Sequence, residues 1–191
     1  MSPRVERLRD EILILEYRAG DLGALEQLIA RWQARIYWYI ATTLQDRDAA
    51  WDVSQETWLA AIQGLGKRRL VQNFAAWLYG IAHNKAISHL RKKGRLDRHE
   101  GTLPEAVEDR PAEADDPVGV AEDAQLVHGC LHRLPLAQRE ALSLFYLDDL
   151  SLAEIARILD VPQGTVQSRL HYGRTKMKDL LLKKGYSRDE R

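Results

Sequence analysis

Residues 151–177 read SLAEIARILDVPQGTVQSRLHYGRTKM, and the fold turns on this stretch. Ser151 followed by Glu154 is a capping box, and it opens a helix carrying Leu152, Ile155, Ala156 and Leu159 on one face. DVPQG (160–164) breaks that helix, and Asp160 is a residue that tolerates a left-handed backbone. Thr165 is placed to cap a last helix running to about Lys184. Two short helices across a tight break, with Ala156, Val161 and Val166 facing inward, form a helix-turn-helix pattern. In the last helix Val166, Leu170, Gly173, Met177, Leu180 and Leu181 share a third of the wheel. Gly173 is unexpected there, since Ala favours a helix interior by about 1 kcal/mol. The opposite side shows Ser168, His171, Tyr172 and Thr175, with Gln167 and Arg174 on one flank and Arg169 and Lys176 on the other. Residues 165–184 carry six basic side chains, Lys178 among them, against one acid. A basic amphipathic helix alone usually presents a solvated face. The capped partner helix and the turn spacing point instead to DNA, with Thr165 and the residues after it at base edges and flanking basic groups at phosphates.

Before this stretch, Leu126, Val127, Cys130, Leu131 and Leu134 make one apolar stripe. Pro135 suits the first turn of the next helix, with Ala141, Leu142, Phe145 and Tyr146 on its stripe. Upstream again, residues 94–117 carry three basic and eight acidic side chains and three of the six prolines. So little apolar surface cannot offset ordering entropy, and the segment reads as a flexible acidic linker. All five tryptophans precede it. The expected organisation is all-helical, with a helical bundle at 1–93, a linker at 94–118 and a four-helix domain with the helix-turn-helix at 119–191.

In the first domain Leu8, Ile12 and Leu15 space a short helix ended by Gly20. Leu25, Leu28, Ile29, Trp32, Ile36 and Ile40 stripe a long second one. Asp48 can cap a third, reaching about Gln63, where Gly64 and Gly66 break it. A loop, GLGKRRLVQN, leads to a fourth from Phe74 to Lys93, with Leu78, Ile81, Ala82, Ala86 and Leu90.

The 191 residues carry 28 basic and 28 acidic side chains. Bulk charge therefore attracts no polyanion, and any nucleic-acid contact needs local concentration. One cysteine excludes a disulfide framework and a cysteine-based zinc cluster, and Cys130 reads as a core thiol. No apolar run reaches 18 residues, and Met1–Gly20 lacks a signal-peptide core, so no membrane insertion and a cytoplasmic protein are expected. GLGKRR misplaces the first glycine of a phosphate loop and has no Ser or Thr after the lysine. His128 and His132 are four apart but lack a third ligand nearby. Neither an enzyme, a cofactor nor a metal site is expected.

DVSQETWLAAIQGL, then NFAAWLYGIAHNKAISHLRKK, then LPLAQREALSLFYLDDLSLAEIARILDVPQGTVQSRLHYGRTKM resemble bacterial RNA polymerase sigma factors. The short form resembles the extracytoplasmic function group, which keeps conserved regions two and four. The resemblance covers about residues 20–93 and 120–184. It implies a factor that binds core polymerase, recognises −35 and −10 elements and helps melt the DNA. It implies docking of Asp52, Gln55 and Glu56 on the β′ clamp helices, with Trp58 as a neighbouring anchor and the β flap as a further contact. An acidic and amide face suits arginines of such a partner. It implies −10 contacts from Lys67, Arg68, Arg69, Asn73, Trp77, Asn84, Lys85 and Arg91. A strand groove flanked by this charge has Phe74, Trp77 and Tyr79 within reach for stacking, with core packing as the alternative for Phe74 and Trp77. It assigns −35 contacts to Thr165, Gln167, Ser168, Arg169, His171, Tyr172, Arg174, Lys176 and Lys178. An anti-sigma factor as regulator, a monomeric free state and a linker in the RNA exit path follow from the same likeness. Trp77-Leu78 stands where primary sigma factors have two tryptophans, so one melting wedge is missing. The alternative is a helix-turn-helix regulator acting without stable polymerase binding.

Overall fold

The structure, a computed structural model, describes residues 3–67, 73–94, 122–147, 150–184 and 186. Among them all regular structure is helical: α1 (Pro3–Arg18), α2 (Leu22–Leu44), α3 (Arg47–Lys67), α4 (Phe74–Lys92), α5 (Glu122–His132), α6 (Leu136–Leu147), α7 (Leu152–Leu159) and α8 (Gln163–Lys183). The expected acidic linker falls outside the described residues beyond Gly94, as do Arg68 and Arg69.

Helix α2 is the spine of the first half. Asp21 caps it by accepting from the Gly23 amide at 2.8 Å. Its stripe buries Leu28, Trp32, Ile36, Tyr39 and Ile40 against α1, α3 and α4. Helix α1 turns the other way from expectation. Leu13, Ile14 and Asp10 face the core, while Leu8 and Leu15 are 56% and 62% exposed and Ile12 is exposed too. Asp10 is tolerated inside because Arg31 donates to it from Nε at 3.1 Å; burial still pushes its carboxyl above the ordinary range.

Two expectations for α3 are corrected. Its start is capped by Asp46, which accepts from the Ala49 amide at 3.0 Å, two residues before the expected Asp48. Nor do Gly64 and Gly66 end it; the helix runs on to Lys67. Gly64 is instead where the Trp77 indole packs, 2.7 Å from the position a Cβ would take. The glycine serves helix–helix approach between α3 and α4, and its cost in propensity is offset by that contact.

The second half builds α5–α8 around Cys130, Leu134, Leu144, Ile155, Val166 and Leu170, all buried. The Ser151–Glu154 capping box is present, and Asp160 ends α7 in the left-handed conformation (φ 51°). Thr165 is not the cap of α8. The helix starts at Gln163 behind Pro162, whose carbonyl accepts from the Thr165 amide at 2.9 Å. Tyr146, expected on the inner stripe of α6, is 63% exposed; Arg139, Glu140 and Ser143 are buried instead. They are inside because α6 faces a second partner, α2 of the first half.

The two halves touch. Helix α2 packs on α5 and α6, and α4 packs on α7. At the α2–α5 contact Trp38 meets His128 edge-on, with ring centroids 4.7 Å apart, and His128 Nε2 lies 3.0 Å from His132 Nε2. Burial holds the His132 imidazole down to about 4, with His128, Arg139 and Arg47 adding to the effect. An unfolded histidine titrates near 6.5, so the unfolded chain binds more protons between about pH 6.5 and 4. Stability therefore falls as pH drops through that window, by about 1–2 kcal/mol after screening at this partly exposed site. Denaturant unfolding at pH 7 and pH 4.5 measures the loss, and His132→Gln should shrink it.

Candidate nucleic-acid and protein interfaces

The outer face of α8 matches the sequence reading closely. Gln167, Ser168, His171, Tyr172, Arg174, Lys176 and Lys178 are exposed, and Thr165 is half-buried at the start of the helix. Ser168 Oγ donates to the Gly164 carbonyl at 3.0 Å, which orients the hydroxyl without removing its acceptor capacity. The His171 and Tyr172 rings meet edge-on at 5.4 Å. Arg169 departs from the expected exposed flank: it is half-buried near Glu140, its Nε lacks a hydrogen-bond partner, and burial lowers its pKa. Arg174 rests over the Phe145 and Tyr146 rings, 5.0 and 5.6 Å from their centroids. Tyr146 thus belongs to this surface. Its helical spacing alone put it in the core, and only the outward turn of its side of α6 reveals it.

The α4 side is mixed. Asn73 caps α4 by accepting from the Ala76 amide at 3.2 Å, and its Nδ2 donates to Glu154 of α7. Asn84 and Arg91 are exposed. Lys85 donates to Glu56 at 3.0 Å, and that hydrogen bond lowers the Glu56 pKa. Phe74 and Tyr79 are buried, so neither offers a ring to an opened strand; Trp77 is half-buried against Phe74 and Gly64. Lys67 ends α3, and its side chain lies outside the described residues.

On α3, Asp52, Gln55 and Glu56 are exposed together, as expected. Trp58, expected as the anchor, is half-buried against the core. Trp51 and Leu59 are 61% and 62% exposed, one turn to either side of Gln55. The buried side of the helix is made by Val53, Ser54, Thr57 and Ala61. The available signal was the i, i+4, i+8 spacing of Trp51, Gln55 and Leu59. An exposed aromatic and an exposed leucine around a polar strip have the make-up of a protein interface.

No group of three metal-ligating side chains occurs among the described residues, and no helix there is long and apolar enough to cross a membrane.

Comparison with known proteins bears on both halves. A family model described as Sigma-70 region 2 matches residues 28–96, and one described as Sigma-70, region 4 matches residues 124–177. The ECF RNA polymerase sigma-E factor of Haemophilus influenzae is 31% identical over 177 residues, covering 88% of this chain and 93% of the relative. The RNA polymerase sigma-H factor of Pseudomonas aeruginosa is 30% identical over 174 residues, covering 87% and 90%. Among solved structures, the sigma factor RpoE of Bartonella quintana, in complex with the anti-sigma factor NepR, superposes with a TM-score of 0.65. It is 26% identical, over 84% of this chain and 98% of that one. CnrH, in complex with the cytosolic domain of CnrY, shares the fold at a TM-score of 0.63 and 24% identity, over 91% and 97% of the two chains.

Proposed function

The chain belongs to the ECF sigma factors, which direct promoter-specific transcription by RNA polymerase, and from that premise we propose how its surfaces divide the work. The α3 strip of Asp52, Gln55 and Glu56, flanked by Trp51 and Leu59, docks on the β′ clamp helices. The start and outer face of α4, with Asn73, Trp77, Asn84, Lys85 and Arg91 and the preceding Lys67, Arg68 and Arg69, meet the −10 element. The α8 face, from Thr165 through Lys178, enters the major groove at the −35 element, while the second half also meets the β flap. The chain performs no catalytic step itself. It acts in the cytoplasm, beside the polymerase. The complex of its structural relative with an anti-sigma factor supports a regulator of that class for this chain.

The observation that carries this reading is the α8 surface. A run of exposed side chains of base-reading type, Gln167, Ser168 and His171, sits in the first half of a helix opened by a tight turn. Exposed Lys176 and Lys178 follow where a backbone phosphate would lie. Base-reading contacts set sequence preference, each worth about 1–3 kcal/mol of discrimination. Phosphate contacts set affinity and its salt slope. Gln167→Ala or His171→Ala should therefore shift the −35 sequences recovered in a promoter selection with reconstituted holoenzyme. Lys176→Ala or Lys178→Ala should weaken all promoters alike and reduce the salt slope by about one. Unchanged base preference in both Gln167→Ala and His171→Ala would mean that α8 meets DNA by another face.

A further inference from the structure

Arg174 stands out on the outer face of α8 because another helix supports it. Its guanidinium carbon lies 5.0 Å from the centroid of the Phe145 ring and 5.6 Å from that of Tyr146. The two rings sit at the end of α6 and meet edge-on, with centroids 5.2 Å apart, so together they form an angled platform. Phe145 is half-buried against the core and anchors this platform, while exposed Tyr146 forms its outer lip. The platform is fixed relative to α8 by close packing next door: a Cβ on Gly173, the neighbour of Arg174, would lie 2.9 Å from Leu142 Cδ1 of α6. Along α8, Gln167, His171, Arg174 and Lys178 follow one another at steps of three or four residues and are all exposed, so they form one row. Arg174 stands in that row between the side chains assigned above to bases and the lysine assigned to phosphate. Of the two arginines of α8, Arg169 is half-buried near Glu140, and Arg174 is the exposed one.

We propose that Phe145 and Tyr146 are positioning residues: they hold the Arg174 guanidinium ready for a backbone phosphate of the −35 element, so that Tyr146 sets promoter affinity without reading a base. The inference rests on the reading of α8 as the −35 face. An unsupported arginine samples many rotamers and loses that freedom on contact. A guanidinium resting on ring faces has lost part of it before DNA arrives, and binding is tighter by the difference. The contact with the rings draws on the charge of the guanidinium and uses none of its N–H donors. Among the described residues no hydrogen bond or ion pair takes those donors either. They stay available for a phosphate, which accepts two parallel N–H bonds from an arginine. Tyr146 is exposed, so its ring serves this platform at little consequence for the core.

The test is a double-mutant cycle between positions 146 and 174, read as binding of reconstituted holoenzyme to a duplex promoter bearing the selected −35 element, over a range of salt concentrations. Arg174→Ala should weaken binding and reduce the salt slope by about one, the mark of a lost phosphate contact. Tyr146→Leu keeps an apolar side chain and removes the ring face. It should weaken binding by about fivefold, the fold-change expected for immobilising one rotamer-rich side chain. Its salt slope and base preference should match the parent, because the charge of Arg174 is still present. Tyr146→Phe, which keeps the face, should restore the affinity. In the Arg174→Ala background, Tyr146→Leu should have no further effect, because the two residues act as one unit. If Arg174→Ala behaves as expected but Tyr146→Leu binds like the parent, the platform is refuted and the −35 reading stands. The same holds if the loss from Tyr146→Leu persists in the Arg174→Ala background, whether through folding or through a direct contact of the tyrosine with DNA. It holds too if Tyr146→Phe is as weak as Tyr146→Leu. If Arg174→Ala changes neither affinity nor salt slope, Arg174 does not meet DNA, and its place in the −35 reading fails together with the platform.

Discussion

Gln55→Ala combined with Glu56→Arg should abolish binding of core polymerase while leaving helix content unchanged. Both side chains are exposed on α3 and make no contact with the core, so their replacement costs the fold little. Glu56 does accept from Lys85, but an exposed pair of this kind contributes under about 1 kcal/mol. What the change removes is complementarity. An acidic and amide strip offers acceptors to arginine, and Arg at position 56 reverses the charge in its middle. Trp51 supplies the apolar part of the same surface, at 61% exposure and with its ring 6.4 Å from Tyr37. Truncating an interfacial tryptophan typically removes 2 kcal/mol or more, so Trp51→Ala should weaken the complex by about thirtyfold or more. Trp58→Ala should act mainly on stability, since that side chain packs inward. Titration of labelled core polymerase with each variant, alongside circular dichroism, separates the two effects. Full assembly by the double variant would remove α3 from the interface.

Gly173→Ala should destabilise the helix-turn-helix half, although Ala is the better helix former by about 1 kcal/mol. A Cβ at this position would lie 2.9 Å from Leu142 Cδ1, 3.3 Å from Leu142 Cγ and 3.4 Å from Gln138 Cβ. Leu142 is itself buried on α6, and its methyl has few places to go. Overpacking of this kind costs about 1–3 kcal/mol, which exceeds the propensity gain. A larger side chain, as in Gly173→Val, should separate α6 from α8 and lower the melting temperature further. A stabilised Gly173→Ala variant in thermal unfolding would show that the helices can part at no cost.

Local signals were legible in the sequence and long-range ones were not. The Ser151–Glu154 box, the left-handed Asp160 and the stripe of α2 each depend on residues a few positions apart, and each appears in the structure. The exposed outer face of α8 followed from the same periodicity, because one apolar stripe fixes what lies opposite. Gly64 and Gly173 read as weak points because their function lies in Trp77 and Leu142, remote in the chain. Helix α1 carries two apolar stripes at helical spacing, and only the packing of α2 decides that Leu13 and Ile14 go inside while Leu8, Ile12 and Leu15 stay out. The burial of Glu140 and Arg139 comes from the contact between the halves, to which neither half's periodicity refers.

The division of surfaces is tested most directly by photo-cross-linking in a promoter complex. A cross-linking residue is placed in turn at Gln55, Asn84 and His171 of the full chain, and core polymerase and promoter DNA are added. The account predicts that position 55 links to the β′ subunit, position 84 to DNA at the −10 element and position 171 to DNA at the −35 element. Cross-links from position 171 to the −10 element, or from position 55 to DNA instead of polymerase, would contradict it.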